Sequence, residues 1–130
     1  MIKLKELRNF KVSLYKLIEK PWGYYVDIYR PEDKKVVFKQ IVVDPGEQLS
    51  MQYHEGRTEF WYVTSGKGLI TTDNPASSLY VKEGDYIVIK PLERHMVENI
   101  GEEPLEIFEM QTGTCEEHDI VRLSDKYGRT

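Results

Sequence analysis

The chain has 130 residues, a formal net charge of -4, 40% hydrophobic and 31% charged residues, which is the size and balance of one folded domain rather than a disordered or membrane-embedded polymer. Its apolar runs fall short of the roughly 18 residues of a membrane span, and the single cysteine, Cys115, cannot form an internal disulfide. No block of Lys and Arg interrupts the acidic balance, which excludes a general nucleic-acid binder but not a small phosphorylated ligand held by a few placed cations.

The first twenty residues, MIKLKELRNFKVSLYKLIEK, are too charged for a secretory leader, so a cytoplasmic location is expected. Leu4, Leu7, Phe10, Leu14, Leu17 and Ile18 recur at near-helical spacing, and Pro21 ends the run. The spacing predicts a helical arm over 1–20, and a paired strand through 11–17 is the competing reading. After Pro21 the texture changes. Runs rich in Val, Ile, Tyr and Phe occupy 22–29, 36–43, 48–54, 59–64, 68–72, 78–81, 86–89, 95–98, 105–111 and 120–123. Between them stand PED, DPGE, SGKG, DNPASS, KEGD and NIGEEP. Short strands punctuated in this way predict an all-β domain over 21–130, an antiparallel sandwich or barrel.

Chemistry is concentrated on three of these strands. Gln52 and His54 are two apart and share a face, as do Glu59 and Trp61. The short intervening segment suggests a hairpin that would bring Gln52, His54 and Glu59 together. His95 opens a later strand in phase with Val97 and Asn99. Closure into a small barrel would add it to the same interior cluster. Two imidazoles, a carboxylate and an amide oxygen are a ligand set for a divalent first-row metal, with positions left over for substrate oxygens. Trp22, Tyr24, Trp61 and Tyr62 read as core aromatics, Cys115 as an inert thiol, and His118, within EEHD, as exposed.

The spacing of these residues resembles the two motifs of the cupin superfamily. From Gly46 the chain runs to Gln52, His54, Glu59 and Gly66; from Gly84 it runs to His95 and Asn99. Gln52 stands in place of the usual first His. The strings KPWGYYV, FKQIVVDPGEQLSMQYHEGRTEFWYVTSG, HMVENIGEEPLEIFEMQTG and DIVRLSDKYGR, together covering about 19–129, resemble the type II phosphomannose isomerase domain. That resemblance implies a cupin jelly-roll barrel and interconversion of mannose 6-phosphate and fructose 6-phosphate. It also implies one divalent metal on Gln52, His54, Glu59 and His95; zinc is the expectation, with Co, Mn, Ni, Fe or Mg as alternatives. The family also occurs fused to a guanylyltransferase. No nucleotidyltransferase sequence is present here, so guanylyl transfer is not expected.

By the same resemblance Arg57 stabilises an enediolate or grips phosphate, and the alternative is a solvated hairpin arginine. Glu109 and Gln111 match the family's E-x-Q as proton shuttle and substrate ligand, against an outward-facing pair. Lys39, Lys90 and Arg129 are the candidate phosphate cations, against ordinary surface charges. The chain departs from the family in three places where His is common, at Glu55, Gly56 and Phe60. Lys90 and Leu92 stand where Pro and Gly are usual. The expected partners are a small phosphorylated sugar and a second copy in a homodimer, with no nucleic acid and no membrane. A non-catalytic cupin binding a sugar, sugar phosphate or nucleotide sugar is the competing function, and a cupin oxygenase is a third.

Overall fold

The computed structural model describes residues 16–73 and 76–130. Its elements are β1 (Lys16–Lys20), β2 (Gly23–Tyr29), β3 (Val36–Val43), β4 (Met51–Tyr53), β5 (Arg57–Ser65), β6 (Lys67–Asp73), β7 (Ala76–Lys82), β8 (Tyr86–Ile89), β9 (His95–Asn99), β10 (Leu105–Gly113) and β11 (Val121–Ser124). They form a six-stranded sheet, β1-β2-β3-β10-β5-β8, and a five-stranded sheet, β11-β4-β9-β6-β7. This is the expected all-β, cupin-type jelly roll. No helix among the described residues is long and apolar enough to cross a membrane.

The helical reading of the arm fails where it can be checked. Lys16–Lys20 is a strand, paired antiparallel to β2 with Leu17 opposite Val26. The free edge of β2 offers unpaired backbone groups, and a five-residue segment gains more by completing that ladder than from its own weak helical periodicity. Leu4, Leu7, Phe10 and Leu14 lie outside the described residues.

A second correction concerns β4 and β5. They do not form a hairpin: β4 pairs with β9 and β11, whereas β5 pairs with β10 and β8. The segment between them crosses from one sheet to the other, pinned where Asp119 accepts the Glu55 and Gly56 amide N–H groups at 2.8 and 2.9 Å. Convergence of their side chains is therefore face to face across the barrel, not side by side.

Period-two alternation sets the interior. On β5 the buried residues are Arg57, Glu59, Trp61 and Val63; on β10 they are Leu105, Ile107, Glu109 and Gln111. Each strand is polar at one end and apolar at the other. The antiparallel register sets Glu59 opposite Gln111, Trp61 opposite Glu109 and Val63 opposite Ile107, so the polar ends coincide. The apolar end packs Val43, Val63, Ile70, Val97, Leu105 and Ile107 into one core. Burial of these side chains drives closure, at about 25 cal/mol per Å² of apolar surface removed from water. The polar end is left as a lined cavity. Trp22 and Trp61 join the core as expected, but Tyr62 points outward and is 39% exposed: it lies one residue out of phase with Trp61 on β5. Gly23, in the PWG turn, has φ +145, and a Cβ there would stand 2.1 Å from the Val42 carbonyl oxygen. Only glycine lets β2 leave the turn so close to β3.

Candidate metal centre and its cavity

Two histidines from one sheet face a glutamate from the other. His54 Nε2 lies 3.5 Å from Glu59 Oε2, and His95 Nε2 lies 3.4 Å from Glu59 Oε1. One ligand atom from each of the three residues falls within 4.8 Å of the others, and all three residues are buried. Each imidazole is oriented from behind. His54 Nδ1 is 2.7 Å from the Asp119 carbonyl oxygen, and His95 Nδ1 is 2.8 Å from that of Glu93. A carbonyl only accepts, so Nδ1 carries the proton and the Nε2 lone pair faces Glu59. Trp61 stacks edge-on against His95 at 5.5 Å.

The donor set fits a metal. Glu59 Oε1 and His95 Nε2 are buried without a hydrogen-bond partner among the described residues, and a cation between them would satisfy both. Ligands bound at roughly 2.0–2.2 Å would stand closer to one another than the 4.8 Å limit of this cluster. Burial alone would raise the Glu59 pKa, but the adjoining His54 and His95 rings and the nearby Arg57 charge hold it well below the usual carboxylate range. Burial likewise opposes charging of His95, yet the carboxylate of Glu59 beside it raises its pKa. Proton and metal compete for the same Nε2 lone pair.

Gln52, the fourth expected ligand, lies beside this cluster. It pairs with His95 on β9 and with Arg122 on β11. Its Oε1 accepts from the Ser50 hydroxyl at 2.8 Å, and its Nε2 lies 3.5 Å from His54 Nε2. An oxygen-ligand role requires that amide to be reversed.

Arg57 is buried, 6% exposed, so the solvated alternative is set aside. Its Nε donates to Glu59 Oε2 at 3.0 Å, its Nη1 donates to the Glu116 carbonyl at 3.0 Å, and its Nη2 lies 3.3 Å from His54 Nε2. Glu109 and Gln111 point inward, not outward. Glu109 accepts from the Trp61 indole N–H at 2.7 Å and from the Gln111 amide at 2.6 Å. Burial first, then the Glu59 charge, raises the Glu109 pKa. Glu109 lines the cavity, whereas Gln111 is fully buried behind it and braces it rather than reaching a ligand.

The cavity measures about 410 Å³ and includes Gln52, His54, Arg57, Glu59 and Glu109 in its wall. His95 sits behind that wall, 1% exposed. Of the proposed phosphate cations, Lys39 and Arg129 line the cavity. Lys90 does not: it is exposed in the turn before β9. The positions that depart from the family pattern, Glu55, Gly56 and Phe60, are also absent from the wall. Phe60 lies on the outer phase of β5, against Tyr86.

Sequence reasoning overlooked Tyr25, Glu117, Asp119, Lys20 and Arg122. Asp119 positions His54 through its carbonyl and the 55–56 segment through its carboxylate. The string DIVR marked Asp119 and Arg122, but nothing local showed which strand they would pair with. Glu117 pairs with Lys39 and Arg30, and those charges hold its carboxyl at about 2 against the opposing effect of burial.

The turn that delivers His95 carries strain. Leu92 has φ 68 and is 63% exposed, while its N–H donates to the His54 carbonyl at 2.7 Å. Left-handed backbone costs an L-residue about 1–2 kcal/mol, and glycine returns part of that gain as chain entropy. Leu92→Gly is expected to stabilise by about 0.5–1 kcal/mol and raise the melting temperature by about 2–4 °C. A thermal melt checks this, and an unchanged or lower midpoint counts against the strain.

Comparison with known proteins agrees with this geometry. Residues 8–125 match the family "Mannose-6-phosphate isomerase C-terminal". The mannose-1-phosphate guanylyltransferase ManC of Salmonella typhimurium is 36% identical over 128 residues, 98% of this chain and 26% of that protein. The alginate biosynthesis protein AlgA of Pseudomonas aeruginosa is 40% identical over 114 residues, 87% of this chain and 23% of that protein. The chain thus spans about a quarter of these relatives. Among solved structures, Bacillus subtilis oxalate decarboxylase, studied for its Mn(II) centres, superposes with TM-score 0.71 at 27% identity, covering 83% of this chain and 30% of that one. The chain belongs to the mannose-6-phosphate isomerase C-terminal family, built on a cupin barrel.

Proposed function

We propose that this protein binds a phosphorylated hexose in the cavity and, loaded with one divalent metal, interconverts mannose 6-phosphate and fructose 6-phosphate. The supporting observation is that the His54–Glu59 face of the centre and the buried carboxyl of Glu109 open onto one cavity. When bound, the metal supplies Lewis-acid polarisation of the sugar's carbonyl and hydroxyl oxygens; zinc is our first choice and manganese our second.

In the isomerisation a proton leaves C2, its electron pair forms the C1–C2 double bond, and the C1 oxygen takes up negative charge. Reprotonation at C1, with the C2 hydroxyl proton passing to the C1 oxygen, gives the ketose, with no net oxidation. Glu109 is the proton carrier of this reading. It is held on both oxygens by N–H donors, and its raised pKa suits both uptake and return of a proton. Arg57, fixed through Glu116 and Glu59, supplies positive charge to the developing enediolate.

A second reading, a phosphosugar-binding module of mannose or polysaccharide metabolism, is favoured by the relatives' names, one a guanylyltransferase and one an alginate biosynthesis protein. One experiment separates them. Metal-loaded protein is expected to convert mannose 6-phosphate in a coupled assay, to lose that activity to a chelator and to regain it on metal addition. Binding of the sugar phosphate without turnover would establish the second reading, and absence of both would overturn the two together.

A further inference from the structure

The cations chosen from sequence to hold phosphate are largely committed elsewhere. Lys39 Nζ pairs with Glu117 and lies 4.1 Å from the Tyr25 ring centroid. Arg129 is held by Asp125 through Nε and Nη2, at 2.8 and 2.9 Å. Lys90 is outside the cavity wall. Two other cations of that wall, Lys20 and Arg122, form no ion pair among the described residues. The Nε of Arg122 is buried with no hydrogen-bond partner among the described residues. The Lys20 amine lies 5.9 Å from the Tyr25 ring centroid.

Their placement is built by the sheets. Arg122 opposes Gln52 across β11 and β4, and Gln52 opposes His95 across β4 and β9. The three residues therefore form one cross-strand row. Two strand spacings, ~10 Å, separate the Arg122 and His95 backbones. A six-carbon chain with its phosphate and its reacting carbons at opposite ends spans that scale. Lys20 enters the same cavity from the other sheet, at the end of β1. Burial first, then the charges of Arg122, Arg129 and Lys39, lower the Lys20 pKa against the pull of Glu117. Cations crowded in this way are relieved by an anion between them.

We infer that Lys20 and Arg122 seat the phosphate of the sugar, with the carbons to be isomerised directed along the row toward His54, Glu59 and Glu109. The assignment rests on the phosphosugar reading above and adds the subsite that discriminates phosphorylated from plain hexoses. Arg122 offers a forked donor to phosphate oxygens, and Lys20 a point charge.

The test is isothermal titration of inorganic phosphate and of mannose 6-phosphate into metal-loaded protein, which reads binding whether or not turnover occurs. Arg122→Ala is expected to weaken mannose 6-phosphate binding ~10–100-fold and Lys20→Ala ~3–10-fold. Arg122→Lys should restore part of the loss. Lys90→Ala should leave binding unchanged. Where turnover is present, KM rises with little change in kcat, because these side chains act on the far end of the substrate. Thermal melts establish that each variant is folded; should Arg122→Ala unfold, Lys20→Ala and Arg122→Lys carry the test. Binding losses without any wild-type turnover would leave the seat standing and move the function to a binding module. Equal affinity of wild type and the Lys20/Arg122 variants, or no wild-type affinity for either ligand, overturns the seat.

Discussion

Glu59→Gln is expected to abolish the thermal stabilisation that a divalent metal confers on the protein. A metal at 100 times its dissociation constant stabilises the state that binds it by about 2.7 kcal/mol, which for a domain of this size is a rise of about 10 °C in melting temperature. Glu59 is the anionic member of a cluster otherwise made of imidazoles. Its Oε1 has no hydrogen-bond partner among the described residues. Gln keeps the shape and removes the charge, so the metal-induced shift should fall below about 2 °C at the same metal concentration. Glutamine also deprives Arg57 of its carboxylate, and breaking a buried pair costs about 3–5 kcal/mol. The apo melting point should therefore fall as well. His95→Gln spares the Arg57–Glu59 pair and supplies the same readout if the first variant does not fold. A full metal-induced shift in both variants would move the metal away from this centre.

Glu109→Gln carries the second large effect. The wild-type carboxylate accepts one N–H from Trp61 and one from Gln111. A glutamine at 109 can still accept from Trp61 through its oxygen. Gln111 can turn its amide and offer the Oε1 that is now unpartnered. The variant should therefore fold, load metal and bind mannose 6-phosphate as the wild type does. It cannot carry a proton, so kcat should fall by about 10²–10⁴-fold. The measurement is the coupled assay beside a binding titration. Turnover within tenfold of wild type would place the proton carrier elsewhere in the cavity, with His118 at its mouth the next group to replace.

How much of this was legible beforehand follows from the range of each interaction. The strands were legible because alternation is local. Arg57, Glu59, Trp61 and Val63 share a face for the same reason that any residues two apart do. Gln52 and His54 were legible as a same-face pair because they are two apart. Their company with Glu59 and His95 was expected from a hairpin that does not form, from closure of the barrel and from the resemblance. The inward turn of Glu109 and Gln111 was left open by the sequence because phase alone does not say which face is inside. The β10–β5 register, pairing Gln111 with Glu59, decides it.

What the chain's residues determined unaided, then, was the kind of fold and which polar residues share a face, because side-chain period and turn chemistry act over a few residues. Only the tertiary structure decided that β4 and β5 belong to different sheets, that Lys16–Lys20 is an edge strand, and that Lys90 lies outside the cavity. It also decided which cations are neutralised: Lys39 meets Glu117, 78 residues away, and Arg122 meets no carboxylate among the described residues. Charge compensation and strand pairing are settled by partners distant in sequence. Which lysine or arginine stays available to an anion is therefore decided when the two sheets close, and not before.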